Sequence, residues 1–362
     1  MKKILISGYY GFGNSGDDAL LLSIISEFRK KGMGDLITVL SANPEETRRV
    51  YGVKAINRVN PFSVLFSIIS CRMFISGGGT LLQDGTSTKS LLYYLYLIKL
   101  ALFFNKKVML YANGIGPVTR NTNVKMCKSV LNKVHSITLR DKKSFDLLRE
   151  WGIVRPEIKL TADPVFLIDS GGDVSDITSG IDGEFICVSV RKAANMPENF
   201  SKTVSSVLDT LCKKHGVTAL LLPLQASDMQ ISQEIASKLG TKAVCVSRHL
   251  SPEEIMNLVS KSRMCIGMRL HMLIYAAAMA VPIVGIVYDP KVSGFMEYAG
   301  QKLFTDVDEV NEENLFKLAD ICISESERIR EELAAVKAKL KPLAEENSDI
   351  AVRLYNRGLR SE

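Results

Sequence analysis

The chain has 362 residues, more than a single hydrophobic core usually serves, so two domains are the expectation. Close to half of it (46%) is apolar and both charge signs are scattered along it, which excludes a disordered or fibrous chain; no tandem repeat is visible. The net charge of +7 comes without an Arg/Lys tract, so nucleic acid is not an expected partner, whereas an anionic small substrate or a phospholipid surface would fit.

Met1-Lys2-Lys3 is a signal-like opening, but the apolar run behind it stops at Gly8. That is too short for a secretory leader and reads as a first buried strand, KILIS at 3–7. A glycine-rich loop follows, then helical periodicity over 19–28. Strand signals recur at 36–41, 73–76, 108–112 and 136–139. Two strongly apolar stretches lie among them, PFSVLFSII at 61–69 and LLYYLYLIKLALFF at 91–104. Both fall short of the ~20 residues needed to cross a bilayer. The second reads as a buried core helix. The other reading is that part of one stretch touches a membrane surface, with Lys106 and Lys107 nearby.

Residues 169–182 (DSGGDVSDITSGID) turn to Gly, Ser and Asp and read as a linker near residue 175. Strand signals then resume at 185–190, 219–223, 243–246, 264–267 and 283–288, with helices over 201–214 and 252–261. A charged, Ala-rich helical segment over 313–354 closes the series. Strand and helix in alternation predict parallel sheets covered on both faces. The fold class expected is therefore α/β, with two Rossmann-like parallel domains facing across a cleft. Their expected limits are 1–172 and 173–340, followed by a helical segment over 341–362. The seven cysteines are odd in number and scattered without a C-x-x-C, so reduced, buried cysteines are expected, with no disulfide and no metal.

Open sheets of this kind bind ligands at the carboxyl ends of their strands, which directs attention to the loops just after them. The first, GYYGFGNSGDD at 8–18, holds four glycines that let backbone N–H groups approach a ligand. It lacks the Gly-Lys-Ser/Thr of a P-loop. Its G-x-G-x-x-G spacing opens into Asp17 and Asp18, which would repel a phosphate. One of these aspartates is expected to cap the next helix, and the other to bond sugar hydroxyls or act as a base. Tyr10 and Asn14 share the loop and are candidate substrate contacts. In SGGGTLLQD at 76–84 the glycine run implies either a ligand or a tight helix–sheet contact, and Gly78 and Gly79 are taken as candidate substrate contacts. NGIGP at 113–117 carries the same two readings. Arg140 ends the strand at 136–139 and reads as an anion clamp; the structural alternatives are a salt bridge with Asp141 or a capping role for Ser144.

GMRLHMLIYAAAMAVP at 267–282 places Arg269 and His271 where a strand gives way to a helix. Helix N-termini have unpaired N–H groups and favour anions, and a guanidinium adds a planar fork for carboxylate or phosphate. A histidine beside a bound anion gains proton affinity, which suits a general acid. Lys291 follows the next strand and is expected beside the same site, while His135, His215 and His249 have no comparable setting. Arg140, Arg269, His271 and Lys291 together predict a strongly basic site for a substrate with both a phosphate and a carboxylate.

Taken together, GYYGFGNSGDDALL, SGGGTLLQD, NGIGP, SITLRDKKS, TADPVF, GMRLHMLIYAAA and YDPK, spread from residue 8 to 291, resemble the polysaccharide pyruvyl transferase family. The likeness is closest to the CsaB type, which pyruvylates N-acetylmannosamine in the secondary cell-wall polymers used in S-layer anchoring. The resemblance implies a glycosyltransferase-B-like (GT-B) pair of domains and phosphoenolpyruvate as donor. It also implies a lipid-diphosphate-linked disaccharide or oligosaccharide acceptor bearing β-N-acetylmannosamine, and a 4,6-ketal product plus phosphate. It assigns Arg140, Arg269 and His271, supported by Lys291, to phosphoenolpyruvate, and turns the loop of Asp17 and Asp18 to the acceptor. No cofactor is implied. The location implied is cytoplasmic, with peripheral contact at the inner face of the cell membrane. Two other readings share much of this pattern: a nucleotide-sugar-dependent GT-B glycosyltransferase, and a non-catalytic glycan- or membrane-binding protein.

Overall fold

The computed structural model describes residues 3–85 and 87–358, so Met1 and Lys2 of the signal-like opening lie outside the described residues. The chain divides into two compact units, Met1–Leu167 with Leu340–Glu362, and Ile168–Lys339.

The first unit holds β1 (Lys3–Ser7), β2 (Ile37–Ser41), β3 (Lys54–Asn57), β4 (Cys71–Ser76), β5 (Gly79–Leu82), β6 (Lys107–Ile115), β7 (Ser136–Leu139) and β8 (Glu157–Leu160). They pair in the order β3-β2-β1-β4-β6-β7-β8, with β5 beside the end of β6, and every pairing is parallel. Its helices are α1 (Ser15–Lys30), α2 (Pro44–Tyr51), α3 (Pro61–Ser70), α4 (Thr88–Phe103), α5 (Asn121–Leu131) and α6 (Lys142–Glu150). The second unit has α7 (Ser175–Thr178), β9 (Phe185–Ser189), α8 (Phe200–His215), β10 (Thr218–Leu221), α9 (Met229–Lys238), β11 (Ala243–Cys245) and α10 (Pro252–Lys261). It continues with β12 (Cys265–Gly267), α11 (Leu270–Ala278), β13 (Ile283–Val287), α12 (Pro290–Tyr298), β14 (Phe304–Asp306) and α13 (Glu312–Ser324). Its sheet runs β11-β10-β9-β12-β13-β14, again all parallel. The boundary falls within α14 (Ser326–Asn356).

Alternation along β1 shows why the first sheet is covered twice. Ile4 and Ile6 point to one face, packed with Ile24 and Phe28 of α1, while Leu5 points to the other, among Ile68, Leu95 and Ile98. The C-terminal helical segment is part of this core rather than an appendage: Ile350, Ala351, Leu354 and Tyr355 pack against the Ile4 face. Asn347 there exchanges hydrogen bonds with Thr161 (2.8 Å) and the Ala162 carbonyl (3.1 Å). Several helix starts are set by side-chain caps, as at Ser251, whose hydroxyl accepts from the Glu254 N–H while the Ser251 N–H donates to the Glu254 carboxylate.

The loop after β1 folds its Tyr10 inward. The ring is fully buried and lies against the backbone of Gly8 and Gly77, where an added Cβ would come within 2.3 and 2.2 Å of it. Burial pushes the Tyr10 phenol well up, with Asp17 adding to the effect. Tyr10, expected from its loop as a substrate contact, is placed inside the fold as a packing residue. Gly78 is likewise explained by packing, since a Cβ there would meet Leu20 of α1 at 2.9 Å. The turn after β6 is organised by Asp84, whose carboxylate accepts from the N–H groups of Thr119 (2.8 Å) and Arg120 (3.1 Å) and from Asn123 Nδ2 (2.8 Å). Burial alone would push this carboxyl up, but these bonds outweigh it and hold it at about 2.

Both features are measurable as stability. Gly77→Ala should lower the urea midpoint by an amount equivalent to about 1–3 kcal/mol, the usual cost of overpacking. The Asp84 carboxyl lies below its unfolded value of 3.8, so its contribution is complete above pH 4 and is lost as pH falls from about 4 to 2. Asp84→Asn should lower thermal stability at pH 7 and flatten the difference between pH 4 and pH 2; an unchanged acid profile would remove the argument.

Candidate active site

In the second sheet the strand order reverses between β9 and β12. Loops leaving the carboxyl ends of such a pair diverge and open a crevice outside the sheet, the usual ligand position of open α/β folds. The loop after β9 delivers Arg191, and the loop after β12 delivers Arg269 and His271. Next to them, β13 leads into Tyr288, Asp289 and Lys291, and β10 into Gln225, Ser227 and Asp228.

Arg269 is the residue before α11 and keeps an extended backbone (φ −71°, ψ 127°) without capping the helix by its side chain. The guanidinium instead turns to Asp228, which is almost fully buried: Nε bonds Oδ2 at 2.9 Å and Nη2 bonds Oδ1. Gln225 Oε1 (3.1 Å) and Ser227 Oγ (3.4 Å) receive further bonds from Nη2. A bidentate pair of this kind fixes the plane of the arginine and offsets its charge. His271 lies in the first turn of α11, part-exposed, with its ring centroid 6.2 Å from that of buried Tyr275. Arg191 stacks over Tyr288, 4.7 Å from its centroid, and donates to its hydroxyl at 3.1 Å. Lys291 Nζ lies 5.8 Å from the same ring and 3.4 Å from Asp289 Oδ2, whose other oxygen caps α12 through the Lys291 N–H.

In the first unit, Asn14 rather than either aspartate caps α1, accepting from the N–H groups of Gly16 (3.0 Å) and Asp17 (3.4 Å). The expected capping by Asp17 or Asp18 is therefore corrected: the cap is Asn14, which the sequence offered as a candidate substrate contact. The helix begins four residues before its apolar periodicity does, so both aspartates fall inside its first turn, where the helix dipole favours them. They differ in setting: Asp18 is buried, while Asp17 is part-exposed with Oδ1 against Gly79, 3.0 Å from where a Cβ would stand. Gly79 itself has φ +89°, a backbone conformation suited to glycine.

Arg140, at the end of β7, is buried and ion-paired with buried Asp163 (Nη1–Oδ2 2.5 Å), with Thr80 Oγ1 at 3.5 Å from Nη2. Asp141, the partner expected from sequence, instead caps α6 through the Ser144 N–H (2.7 Å) and hydroxyl (2.8 Å). Gly114 leaves room for this arrangement, since a Cβ there would meet Thr80 Oγ1 at 2.9 Å. Of the four residues expected to form a strongly basic site, Arg140 and Arg269 each carry a buried carboxylate and Lys291 has Asp289 beside it.

Two arginines went unread in the sequence. Arg191 follows directly from a strand that was recognised, so its post-strand position was available as a signal. Arg58 had none: it precedes an apolar stretch with no motif around it. Its guanidinium lies over Tyr93 (4.6 Å), Phe12 (5.2 Å) and Tyr94 (5.5 Å), and donates to the Gly8 carbonyl (3.1 Å) and Tyr94 hydroxyl (3.3 Å). Tyr9 stacks on Phe12 with centroids 4.1 Å apart. Burial pushes the Tyr94 phenol up to about 12, against the pull of Arg58. Outside these sites, His215 bonds Asp320 (2.8 Å) and His135 accepts from the Val108 N–H (3.2 Å), both structural uses.

The fold has many solved relatives of low identity. Staphylococcus aureus MnaA in complex with UDP superposes with TM-score 0.69 at 12% identity, over 100% of this chain and 98% of that one. UDP-GlcNAc 2-epimerase from Neisseria meningitidis bound to UDP-GlcNAc gives 0.65 at 13% identity, over 99% and 100%. A glycosyltransferase from Rickettsia africae gives 0.62 at 12% identity, over 100% of both chains. At such identities the likeness is one of fold, and the fold is GT-B: two parallel-sheet α/β domains. No curated protein matches the chain. A family model does, over residues 14–290, a span that runs from the cap of α1 to the first residue of α12, and by it the chain belongs to the polysaccharide pyruvyl transferase family.

Proposed function

We propose that the protein transfers the pyruvyl group of phosphoenolpyruvate to a hexosamine of a lipid-linked cell-wall polysaccharide precursor, closing a 4,6-ketal on β-N-acetylmannosamine and releasing phosphate. Pyruvylation of a polysaccharide comes with the family. The donor is supported by one observation above all: Arg191, Arg269 and His271 leave the two strands at which the second sheet reverses, with the start of α11 between them and Lys291 after the next strand. That set suits a small molecule with two anionic groups. Arg269 meets it with a guanidinium already oriented by Asp228, and Arg191 brings a positive charge that no carboxylate offsets among the described residues.

In this reading His271 gives a proton to the methylene carbon of phosphoenolpyruvate, which makes C2 electrophilic. A sugar hydroxyl adds to C2 as Asp17 takes its proton. The C2–O bond to phosphate then breaks, and the leaving charge is held by Arg191, Arg269, Lys291 and the first N–H groups of α11. The second hydroxyl adds to C2 and closes the ketal. One hydroxyl proton replaces the proton given to the methylene carbon; the other departs with the phosphate. Asp17 is preferred to Asp18 as base because Asp18 is buried. The Tyr9–Phe12 stack beside Arg58, close in sequence to Asp17, offers a sugar ring a flat apolar face. Arg140, held by Asp163, acts as a positioning residue that fixes Thr80 and the rim of the first sheet. The reaction is taken to run at the cytoplasmic face of the membrane, where a lipid-linked acceptor is available.

The test is phosphate release from phosphoenolpyruvate with a short soluble β-N-acetylmannosaminide. Release that needs both compounds is expected. Turnover of a UDP-sugar instead would assign a glycosyltransferase, and inertness toward both a binding protein. His271→Asn and Arg269→Lys should each lower the rate by about 10²–10³, the usual effect of removing a group that meets developing charge. His271→Asn should leave the thermal midpoint in place, and a rate near wild type in either variant would take the role from that residue. Asp17→Asn should lower kcat at least as far, whereas Asp18→Asn should act mainly on stability; the reverse pattern would make Asp18 the base.

A further inference from the structure

The helix α3 is apolar on two opposite faces. Val64 and Ile68, one turn apart, are buried against the sheet. Phe62, Leu65, Phe66 and Ile69 recur at i, i+3, i+4 and i+7 and face outward, with Phe62 83% and Phe66 69% exposed. The neighbouring α4 adds an outward stripe of Leu92, Tyr96, Lys99 and Phe103 at the same kind of spacing, and Phe103 is 78% exposed. Lys106 Nζ donates to the Ile69 carbonyl at 2.6 Å, which ties the chain after α4 to the end of α3 and sets a cation at the edge of the apolar surface. Of the twelve large hydrophobic side chains that stand exposed among the described residues, eight lie between Val59 and Phe103, so this is one patch and not general surface scatter.

Charge identifies what covers it. Between Val59 and Lys107, the stretch that makes the patch, the sequence has five Lys and Arg against one acidic residue, Asp84, so it is more positive for its length than the whole chain at +7. Asp84 is engaged by the turn at Thr119 and Asn123. An apolar helix face with Lys99 on its stripe and Lys106 at its edge matches the interface of an anionic bilayer, where rings enter the acyl boundary and ammonium groups meet phosphates. A second copy of the chain fits less well, because a two-fold pairing would set the same lysines against each other. No described helix is long and apolar enough to cross a membrane, so the contact is one of lying on the surface.

We propose that the outward faces of α3 and α4 seat the protein on an anionic phospholipid surface, with Phe62, Phe66 and Phe103 in the interface and Lys99 and Lys106 at the headgroups. This names a partner for the reading above but rests on none of its chemistry. It also gives that reading an economy of position: Arg58, beside the Tyr9–Phe12 stack, is two residues from Asn60, the cap of α3.

Flotation of the full chain with vesicles of phosphatidylcholine, alone or mixed with phosphatidylglycerol, tests it. Wild type should float with the mixed vesicles, less with phosphatidylcholine alone, and less again in high salt. Phe62→Ser/Phe66→Ser should lower the partition coefficient at least about tenfold, since two phenyl rings no longer leave water. Phe103→Ser should lower it to a smaller extent, and Lys99→Glu should remove the preference for phosphatidylglycerol. Because these side chains are exposed, the thermal midpoint and the phosphate release from a short soluble acceptor should stay unchanged, so loss of lipid binding and failure of the pyruvyl reading are told apart. Wild type that remains in solution with both vesicle types overturns the proposal, as does a double variant that floats like wild type. A dimer that dissociates in the double variant, without lipid binding, gives the face to a second copy and overturns it too.

Discussion

A guanidinium leaves water only with a carboxylate beside it, and this constraint sets the carboxyl end of both sheets. In the first unit Arg140 pairs with Asp163, and in the second Arg269 pairs with Asp228. Each aspartate sits at a short 3-10 turn, Asp163 just before Pro164–Leu167 and Asp228 at the end of Ala226–Asp228. An arginine buried without its partner costs about 3–5 kcal/mol, so each pair locks a post-strand loop to the loop next to it. His271 follows two residues after Arg269, and so directly from one of these locked points. The pairing also offsets the charge of both arginines, whereas Arg191 lies on the Tyr288 ring instead of a carboxylate.

Much of the fold could be read from the chain because the central strands of a parallel sheet are continuous apolar runs. β1, β4, β6, β9, β12 and β13 all have that character. The strands that were not recognised, β3, β5, β8 and β14, are short, and three of them are sheet edges with a half-exposed pattern. They have no apolar run to read. The apolar periodicity of α1 begins only at residue 19, four residues after the helix itself, and that offset makes Asp17 and Asp18 look like caps when Asn14 is the cap. The long apolar segment read as a core helix is one on its inner side only, because Leu92, Tyr96 and Phe103 face outward.

The candidate site was legible in half. A strand-to-helix junction with Arg269 and His271 can be recognised locally, since everything that marks it lies within a few residues. What that arginine binds cannot, because Asp228 is 41 residues away in sequence and Asp163 is 23 from Arg140. Arg58 meets Tyr93 and Tyr94 across a similar gap. Fold likeness adds nothing here: relatives at 12–13% identity share the two sheets, whereas chemistry resides in the loops that differ.

The return of α14 to the first sheet has a bearing on how the molecule is born. Ile4, Ile6 and Phe28 are covered in part by Ile350, Ala351 and Leu354 of α14. A nascent polypeptide that has emerged from the ribosome as far as Leu167 has all its strands for this sheet but an oily stripe still open to water. The core of the first unit is therefore completed by a segment made after the intervening unit, and chaperones have a defined apolar surface to shield during that interval.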